Sequence, residues 1–417
     1  MSSSASATRA SNPVVGYVSL WFPLSSETFV FREVCQLGEQ GLPVRVYPIY
    51  GKRLKGCSRA MCEYPGPLRR MGMGAAFAML AAFGRALRRE PATVWALLRE
   101  ALFRRMRDLE SQAENLVCFF AGFLLAEECR RDHVSLLHAP WANGPATACW
   151  VASRLTGIPF AFTGRARDIY PQDGILREKA RDASFIRTNN AANVDWLRQF
   201  CPPEQHDKVH LVYNSLTFGM GEPCAMPMQP PFRLLAVGRF VEKKGFDYLL
   251  TALARLREEG LSARLTLVGD GGLRRQLCRQ VQQLGLQDWV EMPGFVPHDR
   301  MRQYLTSHDM LVMPSIIHES GDRDGIPNVI MEALSHAMPV VATDVCGIAE
   351  VVRNGETGLL VPQRDAVALA RAIRQMLENR EQAARMARAG SELVRQMFDP
   401  AANTLALCQL YRAAAKS

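Results

Sequence analysis

Short apolar, β-branched runs alternate with helix-period segments along the whole chain, and the alternation stops once and restarts. The first series runs through Val14–Leu20, Val44–Tyr50, Ser135–Ala139, Pro159–Thr163, Ser184–Thr188 and Val209–Tyr213. After the stretch from Gly221 to Phe232, which carries prolines 223, 227, 230 and 231, it resumes. The second series is Arg233–Val237, Arg264–Val268, Val290–Glu291, Met310–Met313, Pro339–Ala342 and Leu359–Val361. Strands separated by helices pair in parallel and need helices on both faces. The pattern therefore predicts an α/β protein of two doubly wound, Rossmann-like domains facing each other across a cleft. The expected divisions are a disordered tail over 1–12, a first domain over 13–220, a linker over 221–231, a second domain over 232–398 and a last helix over 399–417 packing back on the first domain. A length of 417 residues suits two cores better than one.

Composition narrows the function. Hydrophobic residues make up 48% and charged residues 22%, ordinary values for a globular chain. The eleven cysteines form no C-x-x-C pair and no Cys/His cluster at zinc spacing, so no metal site or disulfide framework is expected. The apolar run Val14–Phe22 is broken by Gly16 and Ser19 and reads as a buried strand, not a signal peptide. No run reaches the ~20 apolar residues of a membrane span. The net charge of +9 is concentrated between Arg69 and Arg107, where nine arginines meet two acids, Glu90 and Glu100. Phe77, Leu80, Leu87, Trp95, Leu98, Leu102 and Phe103 run between them at helical spacing. Basic amphipathic helices near 69–107 suit an anionic membrane surface; the alternative is a packed helix pair with a solvated arginine face. No nucleic-acid-binding motif accompanies the charge.

Three segments of the second series carry chemistry. In L-L-A-V-G-R-F-V-E-K-K-G, Gly238 permits a tight turn after a strand, and Arg239 and Lys244 flank the following loop. A planar guanidinium and a mobile ammonium suit a diphosphate. In L-V-G-D-G-G-L, Gly269 and Gly271 mark a strand-to-helix turn that lacks the full dinucleotide fingerprint but allows close backbone approach to a ligand. In G-D-R-D-G-I-P-N-V-I-M-E-A-L, Pro327 fits a first helical position, predicting a helix from about Ile326 through Leu334. The backbone of Gly325, Ile326, Pro327 and Asn328 would then meet a phosphate at a helix N-terminus. Asp324 precedes that helix, and Glu332 stands ~7–8 Å along its axis from Pro327.

With these motifs in hand, residues 232–361 resemble the donor domain of retaining glycosyltransferases of family 4, which have the GT-B fold. The acid, seven residues, then Glu spacing of Asp324 and Glu332 matches, as do Arg239 with Lys244, the G-D-G turn and P-V-V-A-T-D-V-C-G-I-A-E-V-V-R-N-G-E-T-G-L-L-V. W-F-P-L-S-S-E-T-F-V-F-R-E and L-L-H-A-P-W-A-N-G-P-A-T-A are similar to the colanic-acid type of exopolysaccharide transferase. The resemblance implies transfer from a UDP- or GDP-sugar to a lipid-linked or oligosaccharide acceptor. It also implies retention of configuration, no cofactor beyond the co-substrate, no required metal, and a cytoplasmic enzyme at the inner face of the cytoplasmic membrane. Arg239 and Lys244 would hold the diphosphate, Glu332 the ribose, and Asp324 with the 325–328 backbone the sugar and phosphate.

The chain departs from the family twice. Asp324 stands where the family usually has Glu. In Thr163-Gly164-Arg165-Ala166-Arg167-Asp168, Arg165 replaces the His of T-x-H-x-x-D. Arginine accepts no proton but can stabilise a leaving phosphate. Arg165, Asp168 and His138 are expected to face the cleft, with His138 alternatively a satisfied strand-end residue. The Arg165 substitution also keeps open a catalytically silent sugar-nucleotide-binding partner of a glycan assembly complex.

Overall fold

The computed structural model describes residues 12–69, 71–101, 104, 108–170, 174–215 and 228–416. Each series of apolar runs forms one six-stranded, all-parallel sheet. The first contains β1 (Val15–Leu24), β2 (Val44–Arg53), β3 (Leu136–Ala139), β4 (Phe160–Gly164), β5 (Phe185–Thr188) and β6 (Val209–Leu211). The second contains β7 (Phe232–Val237), β8 (Ala263–Val268), β9 (Val290–Gly294), β10 (Met310–Met313), β11 (Val340–Thr343) and β12 (Leu359–Val361). Residues of β3, β4, β5, β10 and β11 are buried throughout, because helices cover both faces of a parallel sheet. The first two strands continue past the expected Leu20 and Tyr50, since Trp21 and Leu24 of β1 still pair with Gly51 and Arg53 of β2.

Strand order places the ligand crevices. The first sheet runs β2-β1-β3-β4-β5-β6 and the second β12-β11-β10-β7-β8-β9. Each order reverses direction once, between β1 and β3 and between β7 and β10. At such switch points the loops leaving the two strands diverge to opposite faces and open a crevice at the carboxyl edge.

Helix ends follow local chemistry. Asn190, Asp365 and Asp399 cap the helices Ala191–Arg198, Ala366–Glu378 and Pro400–Ala414 by accepting backbone N–H bonds. The last of these sets Leu407, Cys408 and Tyr411 into a core with Val15, Tyr17 and Phe185 of the first domain. Asn12, expected in the tail, donates a hydrogen bond from its side-chain Nδ2 to Gly41 O at 2.9 Å; residues 1–11 and the linker residues 221–227 lie outside the described residues.

The basic region forms the helices Ala76–Arg89 and Pro91–Ala101. Met79, Ala82, Val94, Leu97 and Ala101 face the core, and Leu87 and Leu98 are half-buried. Phe77, Leu80 and Trp95 point outward, 88, 55 and 65% exposed, beside exposed Arg88, Arg89 and Arg99. Arg70, Leu102, Phe103, Arg105 and Arg107 lie outside the described residues. Among those described, no helix is long and apolar enough to cross a membrane.

Candidate functional site

The loops leaving β7 and β10 meet at the switch point of the second sheet and bring the predicted acid and cations together. Asp324 is buried and accepts hydrogen bonds from Lys244 Nζ at 2.8 Å and Ser315 Oγ at 2.7 Å. Lys243 Nζ lies 3.8 Å from its other oxygen and pairs with Asp322 at 2.9 Å. Burial alone would raise the Asp324 carboxyl, but Lys244 and then Lys243 hold it below the usual carboxylate value. Arg239 is exposed at the mouth of this cluster, within the fields of Asp322, Asp324 and, from the first domain, Arg167.

Glycines fix these loops. A side chain at Gly238 would meet Lys244 Cε at 3.0 Å, so the lysine passes over Gly238 to reach Asp324. Gly245 has φ +60, and a Cβ there would lie 2.1 Å from the Pro314 carbonyl; the β7 loop is thereby clamped to the β10 loop. Gly269 and Gly271 have a neighbour that the sequence did not reveal. Their close backbone approach is to the chain itself: Cβ atoms there would fall 1.9 Å from Gly238 O and 2.6 Å from Phe240 O. Phe240 N–H also donates to Asp270 O at 2.9 Å. The G-D-G turn therefore packs on the loop that carries Arg239 and shapes it.

The helix beyond Asp324 begins later than predicted. It spans Asn328–Ser335, and Pro327, with φ −60 and ψ 128, is its extended N-cap, not its first turn. Ile326 precedes a proline and is disfavoured in helical geometry, which delays the start. Its N-terminus still faces the Gly325–Asn328 segment. Glu332 is buried on this helix, and its charge acts on Arg32 of the first domain.

Across the cleft the first-domain residues are corrected more strongly. His138 is fully buried in β3 among Tyr17, Phe185 and Tyr411, with Nε2 3.2 Å from Thr163 Oγ1. Burial pushes its pKa down to about 3. It does not line the cleft, because helices cover the middle of its sheet. Asp168 is buried too, and burial pushes it up to about 7. Its oxygens accept from the backbone N–H groups of Arg165, at 2.8 Å, and Ala142. It is a helix-capping residue. Arg165 is 5% exposed: its Nε donates to Pro140 O at 3.2 Å and Nη1 to Asn214 Oδ1 at 2.9 Å. Its guanidinium lies 4.3 Å from the Phe29 ring centre and 5.5 Å from that of Trp141. These groups lie at the switch point of the first sheet. Arg165 thus sits beneath the cleft surface, and it is Arg167, two residues on, that is exposed.

Sequence reading also missed Lys243, Ser315, Asn190, Arg32 and Arg167. The K-K doublet and the serine after Pro314 were visible, but which lysine meets which acid depends on loops joined only in the fold. Among the described residues no group of three or more His, Cys, Asp or Glu is placed to hold a metal.

Two parallel-sheet domains with a charged site at the second switch point define the GT-B architecture. Solved structures share it: Anabaena Alr3699/HepE, in complex with UDP and glucose, superimposes with a TM-score of 0.70 at 17% identity over 95% of this chain and 99% of that one. Residues 228–393 match the family model described as "Glycosyl transferases group 1". A putative colanic acid biosynthesis glycosyltransferase, WcaL of Escherichia coli K12, is 29% identical over 85% of this chain and 88% of its own length. The amylovoran biosynthesis glycosyltransferase AmsK of Erwinia amylovora is 36% identical over 34% of this chain and 35% of its own. The matched domain and these relatives support a glycosyltransferase on the GT-B fold.

Proposed function

We propose that the chain is a retaining, family 4-like glycosyltransferase that moves a sugar from a UDP- or GDP-sugar to a lipid-linked or oligosaccharide precursor. One observation carries this reading: Asp324, buried under Lys243, Lys244 and Ser315, faces exposed Arg239 at the mouth of a switch-point crevice. The difficult step is departure of the diphosphate as the sugar becomes oxocarbenium-like, so fixed cations and helix N–H groups aimed at that charge are the main catalytic devices. Arg239 and Lys244 bind the diphosphate together with the helix N-terminus at Asn328. Glu332 binds the ribose, and Asp324 binds sugar hydroxyls while orienting Lys244. The acceptor proton passes to the leaving phosphate, and no metal is needed because the cations supply the charge. Arg165 acts as a fixed positive charge under the cleft and does no acid–base work.

The outward Phe77, Leu80 and Trp95, flanked by Arg88, Arg89 and Arg99, support attachment to the anionic inner face of the cytoplasmic membrane. There the enzyme meets its lipid-linked acceptor. The ligands of the Anabaena structure, UDP and glucose, favour a nucleotide-sugar donor.

Isothermal titration with UDP- and GDP-sugars, paired with a donor-hydrolysis assay in EDTA, tests this reading. Binding accompanied by slow hydrolysis that EDTA leaves unchanged is expected. Tight binding with neither hydrolysis nor transfer would instead make the chain a silent sugar-nucleotide-binding partner.

A further inference from the structure

One buried side chain of the first domain is seated in the second. Asn190 follows β5 at its carboxyl edge and is fully buried. Its Oδ1 accepts from Asn193 N–H at 2.9 Å, fixing the rotamer. The amide enters a slot in the second domain walled by two glycines. A Cβ built on Gly325 would lie 2.8 Å from Asn190 Nδ2, and one on Gly347 would lie 2.7 Å from Asn190 Cβ. Neither glycine has a positive φ, so the backbone does not require glycine at either place. Space does.

Contacts around the slot hold the same arrangement. Ala191 N–H donates to Glu350 Oε1 at 2.8 Å, and Tyr213 Oη donates to Glu350 Oε2 at 2.7 Å. Tyr170 Oη lies 3.3 Å from Cys346 Sγ, and the Arg323 guanidinium sits 4.0 Å from the Tyr170 ring centre. Gly325 is the residue directly after Asp324 and opens the segment assigned above to sugar and phosphate. The Asn190 peg thus touches the backbone of the donor cradle itself.

We infer that Asn190 is a positioning residue for transfer: its entry between Gly325 and Gly347 sets the register in which the first domain meets the donor cradle. This rests on the donor-site reading above. Donor binding, which belongs to the second domain, needs no peg; transfer to an acceptor held by the first domain does.

The test is suppression across the cleft. Gly325→Ala drives a methyl into Asn190 Nδ2, and overpacking of this kind is expected to lower kcat about 10- to 100-fold. Asn190→Ser keeps a capping oxygen and removes the clashing nitrogen, so adding it to Gly325→Ala should restore kcat to within about fivefold of the Asn190→Ser single variant. The donor Kd of the Asn190→Ser single variant, by titration calorimetry, should stay within about threefold of wild type. Small-angle scattering without ligand supplies a readout independent of activity. Gly325→Ala should enlarge the radius of gyration, and the double variant should return it to the wild-type value. The inference is overturned if Gly325→Ala keeps wild-type scattering, or if Asn190→Ser fails to reverse its defect. Absence of donor binding in the wild-type chain would sink the donor-site reading instead, leaving the scattering comparison to decide the peg.

Discussion

Replacing Asp324 with asparagine separates the charge of the site from its shape. The carboxylate is only 10% exposed and meets Lys244 at 2.8 Å and Ser315 at 2.7 Å. Asparagine keeps the volume and one acceptor oxygen but removes the charge. Lys243 retains Asp322 at 2.9 Å, so Lys244, itself 13% exposed, is the cation left without its counter-charge. Breaking a buried pair costs ~3–5 kcal/mol, and the remaining amide oxygen places Asp324→Asn nearer ~2–3 kcal/mol. For domains of ~200 residues that lowers Tm by about 5–10 °C. A nucleoside diphosphate brings negative charge back to Lys244, so UDP should stabilise the variant at least as much as wild type. The extra stabilisation that a sugar nucleotide gives over UDP should be lost with the Asp324 contact to the sugar. Differential scanning fluorimetry with UDP and UDP-glucose measures both. Because Lys244 and Lys243 hold the Asp324 pKa below the ordinary value, its stabilisation is complete above the unfolded carboxylate range. It is lost only as pH falls through the lower folded value, so the effect should be constant from pH 6 to 8. A variant melting within about 1 °C of wild type would refute the buried-pair argument.

Glu332→Ala should weaken donor binding ~10-fold or more in titration calorimetry, since a buried charged contact is lost; an unchanged Kd would remove the ribose role. Lys244→Ala should lower kcat by ~10²–10³ with a smaller change in donor affinity, as expected for a group acting on the leaving phosphate; equal rates for mutant and wild type would contradict that. His138 is neutral when folded with a pKa of about 3. A depressed histidine stabilises fully above the unfolded value and loses that contribution as pH falls below it, by ~2 kcal/mol between pH 6.5 and 5. Urea midpoints of His138→Asn should lack this loss, and an identical pH slope would show that His138 is not the cause. Wild-type chain should cosediment with phosphatidylglycerol vesicles more than with neutral ones, and Phe77→Asp with Trp95→Asp should abolish that binding; retained binding would place the membrane contact elsewhere.

Much of the fold was legible because central strands of a parallel sheet are buried on both faces and read as apolar runs; the twelve strands fall on the twelve runs named from the sequence, although β9 at the sheet edge is only partly buried. Strand order was not, since it depends on which helix crosses which face. The meeting of Lys244 with Asp324 was foreshadowed, because Arg239 with Lys244 and Asp324 with Glu332 lie in two short segments at the ends of β7 and β10. Gly269 and Gly271 stood out as close-approach glycines, but no motif says that the neighbouring backbone is that of Gly238 and Phe240. Across the cleft, His138 and Asp168 looked like site residues by position. Depth within a sheet, which no motif records, made one a core histidine and the other a cap. Asn190 left only an N-N doublet after a strand, and its partners lie more than a hundred residues away.

The most direct measurement of the central claim is a thermal-shift screen of UDP-, GDP- and dTDP-sugars against the wild-type chain and an Arg239→Ala, Glu332→Ala double variant. A bound donor raises stability by RT ln(1 + [L]/Kd). One nucleotide class should raise the wild-type midpoint at millimolar concentration and leave the double variant unmoved. No shift with any donor, or an equal shift in both proteins, would contradict a nucleotide-sugar site between Arg239 and Glu332.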